Sequence, residues 1–155
     1  PTPGQFKEAI EDLKKQGMKG LIIDLRDNPG GLLSAVVEML DYILPKGMIV
    51  YTEDKYGDRY EYSCDGKREF ELPMVVLVDG NSASASEVLA GAIKDYEIGT
   101  LVGTTTFGKG IVQRPISLSD GSAVKLTIST YYSPNSRIPP FKMPLIFAKP
   151  IQYSS

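Results

Sequence analysis

Twice along this chain a short apolar run breaks into a tight turn and then into a helical pattern, and this repetition constrains the fold most. The first unit is "GLIIDLRDNPGG" followed by "LLSAVVEMLDYIL". In the second, "MVVLVDG" feeds a serine stretch and then the helical run "ASEVLAGAIKDY". Apolar runs this short that do not alternate fit strands buried on both faces of a helix-covered sheet. Strand, turn and helix repeated in this order predict an α/β domain.

The flanking sequence fits the same frame. "PTPGQFKEAIEDLKKQG" reads as an amphipathic helix carried by Phe6, Ile10 and Leu13 and ended near Gly17. Short alternating runs over residues 48–72 read as strands or a hairpin, with Gly57 and "DGK" as turns. After the second unit, "IGTLVGTTTFGKG", "IVQRPISLSDG" and "SAVKLTISTYYSPN" read as strands joined by glycine turns. The segment "SRIPPFKMPLIFAKPIQYSS" carries four prolines and no clear period, so it reads as irregular or edge strand. These features divide the chain into a core over residues 1–138 and a Pro-rich tail over 139–155. The chain opens on Pro1 rather than Met, so an upstream segment is expected to have been removed.

Composition excludes several functions. A net charge of −2 gives no basic footprint for nucleic acid. No stretch of 18 apolar residues is available to span a membrane. The lone Cys64 has no disulfide partner and no companions for a metal site. The absence of histidine removes Ser-His-Asp and Cys-His catalysis and the commonest zinc ligand. A hydrolase built on this chain must take its base from a lysine, a carboxylate or an N-terminal amine.

The stretch "GNSASASEVLAGA" places Ser82, Ser84 and Ser86 at every second position ahead of a helix. Ser84 and Glu87 form the S-x-x-E pattern of a capping box, worth about 1 kcal/mol. A hydroxyl at a strand–helix junction also sits where α/β folds bind ligands, beside helix N–H groups suited to an oxyanion. The two readings are compatible. Among the lysines, Lys109 lies in "GTTTFGKGIVQ" between Gly108 and Gly110, with Phe107 and Ile111 able to dry it. A lysine base must be neutral, which requires a value several units below the ordinary one of about 10.4. A solvated hairpin-turn lysine is the alternative. A phosphate-binding loop is disfavoured because Gly110 stands where Ser or Thr is needed.

"SASASEVLAGA", "TFGKGIVQ" and "LIIDLRDNPGG" together resemble the C-terminal processing (tail-specific) peptidases, serine proteases with a Ser–Lys dyad. The resemblance runs from about Gln5 to Asn135, with the three motifs in the family's order and spacing. It implies Ser84 as nucleophile, Lys109 as base and Gln113 as the residue orienting the lysine. It also implies an oxyanion hole from the N–H groups of Ala85 and Gly30, with Gly31 the close alternative. Glu87 matches a family glutamate near the site; Arg26 and Asp27 are expected to brace the turn, and Ser82 and Ser86 to be structural. The implied fold is the spiral α/β core shared by Clp peptidases and crotonases.

The implied partners are proteins or peptides recognised through their C-termini, with no metal or cofactor and with self-association into a homo-oligomer left open. Family members usually carry a PDZ domain, for which this chain has no room, so it reads as the catalytic core of a longer parent. After "YYSPN" the family's usual continuation is not matched. The family's location, outside the cytoplasm or in the thylakoid lumen, is the expected one. Two rivals share the sequence features: a crotonase-type acyl-CoA enzyme, and a non-catalytic interaction domain with Ser84 as a cap.

Overall fold

A computed structural model describes residues 2–67 and 70–135. The chain runs α1 (Thr2–Lys15), β1 (Leu21–Asp24), α2 (Leu33–Ile43), β2 (Gly47–Asp54), β3 (Arg59–Cys64), β4 (Met74–Val78), α3 (Ala85–Asp95), β5 (Thr100–Gly103), β6 (Ile111–Ser117) and β7 (Ala123–Tyr132). The two strand–turn–helix units are β1–α2 and β4–α3, as the pattern predicts. Residues 139–155, the predicted irregular tail, lie outside the described residues.

The strands form two sheets. β1, β4 and β5 make a parallel sheet in that order, with Leu21 opposite Met74 and Val75 opposite Thr100. Parallel neighbours need crossover connections, and α3 supplies the one from β4 to β5. The second sheet is antiparallel, in the order β3-β2-β7-β6. The β2–β3 hairpin is the one expected around Gly57, and a second hairpin turns between β6 and β7.

Leu40, Ile43, Leu44, Ile49, Val76, Val78, Leu89 and Ile93 form the fully buried centre of the core. Each such side chain contributes about 1.5–3 kcal/mol relative to exposure. α3 is buried without interruption from Ala85 to Ile93. Its small residues, Ala85, Ala90, Gly91 and Ala92, let neighbouring elements approach its backbone closely, and the buried stretch includes the polar Ser86 and Glu87. The expectation of strands buried on both faces does not hold for β1. Its residues alternate between intermediate burial and exposure, and Ile22 is 68% exposed. One face of β1, carrying Leu21 and Ile23, packs against the core, and the other, carrying Ile22 and Asp24, is uncovered among the described residues.

Candidate functional site

Because β1, β4 and β5 run parallel, the turns that follow them open at one edge of the sheet. Ligand sites of α/β folds form at this carboxyl edge. The three turns carry Gly30 and Gly31, Ser84, and Lys109 respectively, so topology alone collects residues from widely separated sequence.

The turns are stitched to one another. The Ser82 hydroxyl, fully buried, donates to the Leu25 carbonyl at 2.7 Å and accepts the Asp79 N–H at 2.9 Å. Ala83 N–H donates to Asn28 O at 3.0 Å. Asp27 N–H reaches the Asp79 carboxylate, and Asn81 Nδ2 donates to Asp27 Oδ1 at 2.7 Å. The Asp27 N–H, with groups of Asn81 and Ser82, holds the Asp79 carboxyl below the usual carboxylate range. Arg26 forks onto Asp24 at 2.9 and 2.7 Å and holds that carboxyl at about 2. Asp27 and Ser82 therefore brace the turns against each other, whereas the hydrogen bonds of Arg26 go to Asp24 at the end of its own strand.

Ser84 is the N-cap of α3, and Ser84 and Glu87 form a capping box. Its clear half is the Glu87 carboxylate accepting the Ser84 N–H at 2.9 Å. An ordinary N-cap has extended backbone with negative φ. Ser84 instead has φ 56° and ψ −117°, a conformation costing a non-glycine residue of the order of 1–3 kcal/mol. Capping does not require this strain. A sharp strand-to-helix turn that lifts a serine hydroxyl clear of its own helix does, as in the nucleophile elbows of hydrolases.

Glu87 is 4% exposed and carries four hydrogen bonds. Oε2 accepts the N–H groups of Ser84 and Lys109, at 2.9 and 2.8 Å. Oε1 accepts the Thr106 hydroxyl and the Gly108 N–H, both at 2.7 Å. One buried carboxylate thus fastens the Lys109 loop onto the first turn of α3. Phe107 N–H adds a bond to Ser82 O at 3.0 Å. Lys109 lies on the connection from β5 to β6, between the two sheets, and not in a hairpin turn. It is half-buried, and its ammonium makes no hydrogen bond or ion pair among the described residues. Gln113 sits on β6 beside a bulge and is not hydrogen-bonded to Lys109.

Gly30 packs directly against the serine turn. A Cβ there would stand 2.5 Å from Ala83 O and 2.7 Å from Ala85 N, and its φ is +93°. The two glycine N–H groups differ. Gly30 N–H is taken by Asn28 Oδ1 at 2.9 Å, whereas those of Gly31 and Ala85 make no hydrogen bond among the described residues. Ala85 and Gly31, not Ala85 and Gly30, are therefore the pair whose amides are left without a partner among the described residues.

Tyr131 was not anticipated. Its ring is 6% exposed, its N–H donates to Gly110 O at 2.9 Å, and its hydroxyl lies near Ser84. Burial pushes its phenol up and the Ser84 contact pulls it partly back. Adjacent strand residues face opposite sides, so one of Tyr131 and Tyr132 had to point inward. Tyr132 stacks on Tyr51, with ring centroids 4.8 Å apart. Nothing local in "STYY" tells which tyrosine faces the serine.

Two cavities reach the residues on either side of Ser84, one at Ala85 and the other at Ala83. One, of about 170 Å³, is lined by Gly30, Gly31, Ala85 and the apolar Leu32, Val36 and Met39. The other, of about 430 Å³, is lined by Asp27, Pro29, Asn81, Ala83, Phe107 and Lys109.

Residues 1–141 match peptidase family S41. The chain is 44% identical over 130 residues to a carboxyl-terminal-processing protease of Synechocystis, spanning 84% of this chain and 30% of that protein. It is also 44% identical to a chloroplastic C-terminal processing peptidase of Tetradesmus obliquus, spanning 86% of this chain and 29% of that one. The solved photosystem II D1 C-terminal processing protease superposes with a TM-score of 0.80 at 43% identity, over 88% of this chain and 36% of that one. The chain thus spans about three-tenths of the length of these curated relatives. It belongs to peptidase family S41.

Proposed function

We propose that this chain forms the catalytic core of a serine endopeptidase that cuts proteins near their C-termini through a Ser84–Lys109 dyad. The observation that carries the reading is the strained Ser84 at the head of α3, beside two unpaired amides. A cap needs neither the strain nor the amides; a nucleophile and its oxyanion use both. The names of the relatives, carboxyl-terminal-processing protease and C-terminal processing peptidase, support the substrate class.

In this mechanism Lys109, as the free amine, takes the proton of Ser84 Oγ while Oγ attacks the scissile carbonyl. The oxyanion receives the N–H of Ala85 and the N–H of Gly31, since that of Gly30 is occupied by Asn28. Collapse breaks the C–N bond, and Lys109 returns the proton to the departing amine. Water, activated by the same lysine, then releases the acyl group from Ser84. A substrate lying across the half-buried Lys109 strips its remaining water, and Gln113 holds the amine once the site has tightened around substrate. A PDZ module elsewhere in the parent protein presents the substrate's C-terminus, and the compartment is extracytoplasmic or a plastid, as the chloroplastic relative's name supports.

The test is hydrolysis of an unfolded protein by this chain beside Ser84→Ala and Lys109→Ala. Cleavage lost by more than about 10³-fold in both variants is expected. Cleavage surviving either substitution overturns the dyad.

A further inference from the structure

We propose that the cleft lined by Pro29, Asn81, Ala83, Phe107, Lys109 and Asp27 is a leaving-segment subsite, taking an apolar residue immediately after the scissile bond. The inference rests on the Ser84–Lys109 reading and goes on to fix the direction in which substrate lies.

The direction follows from the proton. The base that accepts it from the serine must hand it to the departing amine, so that amine leaves on the side of the base. Lys109 forms part of the wall of the 430 Å³ cleft and does not touch the smaller cavity. Gly31 and Ala85, whose N–H groups have no partner among the described residues, line the smaller cavity instead. Ser84 joins Ala83, on the wall of the cleft, to Ala85, on the wall of the smaller cavity, so the acyl half is placed over Gly31 and Ala85 and the leaving half over Lys109.

The walls of the cleft give its preference. Pro29, Ala83 and Phe107 supply an apolar platform, and the cleft falls within the size range of small-ligand sites, about 300–1,000 Å³. Phe107 is 65% exposed, yet its loop is tied down at Phe107 N–H and, on either side, at Thr106, Gly108 and Lys109. A large ring held in water by a fastened backbone is preorganised to cover an incoming apolar side chain. Asp27, whose carboxylate accepts a hydrogen bond from Asn81 Nδ2, adds a negative charge to the lining that suits the new ammonium.

Binding without chemistry tests this. Leucinamide stands in for the leaving segment, and glycinamide lacks its side chain. In the isotope-labelled Ser84→Ala chain, leucinamide is expected to shift the amide signals of Asn81, Ala83, Gly108 and Lys109 saturably. Glycinamide should bind at least about 5-fold more weakly, and Phe107→Ala should remove that difference. Saturable shifts confined to Gly31, Leu32 and Val36, no saturable shift, or equal binding by Phe107→Ala would each overturn the proposal. The assay needs no reactive serine, so leucinamide binding alongside inert Ser84 and Lys109 would sink the peptidase reading by itself.

Discussion

The backbone N–H groups of Ser84 and Lys109 donate to the same oxygen, Oε2 of Glu87, at 2.9 and 2.8 Å. The separation of these two residues is therefore set by a buried carboxylate and not by contact between their side chains. Glu87→Gln keeps the shape but leaves one oxygen for four donors. Each orphaned buried N–H costs about 1–3 kcal/mol, so a loss of roughly 2–5 kcal/mol is expected. Hydrolysis should fall by about 100-fold as the loop shifts by an ångström or so. Urea unfolding reads the first effect, and an unmoved midpoint would contradict the clamp.

Gly30 and Gly31 should respond oppositely to alanine. At Gly30 the added Cβ meets Ala83 O and Ala85 N and the backbone is left-handed, whereas at Gly31 it meets open space. Gly30→Ala is expected to destabilise the chain by about 1–3 kcal/mol or more, with loss of activity. Gly31→Ala should melt within about 0.5 kcal/mol of the parent. Thermal melts of the two variants decide, and equal melting would mean that the close approach at Gly30 is not structural.

Tyr131→Phe deletes one hydroxyl and leaves the ring packing in place. If the hydroxyl acts on Ser84 with the strength of one neutral hydrogen bond, about 0.5–1.5 kcal/mol, its loss is a roughly 3–10-fold fall in kcat. KM should hold, because the hydroxyl acts on the nucleophile and not on the substrate. A changed KM with unchanged kcat would reassign Tyr131 to substrate binding.

Acid should loosen the turns before it unfolds the core. The folded value for Asp79 lies below its unfolded value near 3.9, so its contribution is complete above about pH 4. That contribution is lost as the pH falls through the depressed folded value. Asp24 behaves likewise, over a window from about pH 4 down to about 2. The amide signals of Asp27, Asn81 and Ser82 should move together, with a midpoint below 3.9. A midpoint at or above that value would mean that Asp79 is not held by these N–H groups.

Much of this site was legible because its determinants are local. The apolar runs before "RDNPGG" and "GNSASAS" mark two strands, and S-x-x-E marks the start of α3. What the sequence leaves open depends on contacts between distant segments. The φ of Ser84 is imposed by the stitched turns, and "SASE" by itself specifies an ordinary cap. The choice between Gly30 and Gly31 rests on where Asn28 Oδ1 points. Tyr131 reaches Ser84 only because β7 runs beside Gly110. The burial of β1 was misread because an apolar run does not say whether both faces of its strand will be covered.

The fastening by Glu87 stops at Lys109. The next residue, Gly110, is fixed to the other sheet, through Tyr131 N–H on its carbonyl. A seam therefore runs through the peptide bond joining Lys109 to Gly110. Ser84 and Lys109 lie together on one side of it, while Gln113 on β6 and Tyr131 on β7 lie on the other. Ser84 and Lys109, the pair proposed as nucleophile and base, are thus held by one carboxylate on the same side of the boundary between the two sheets.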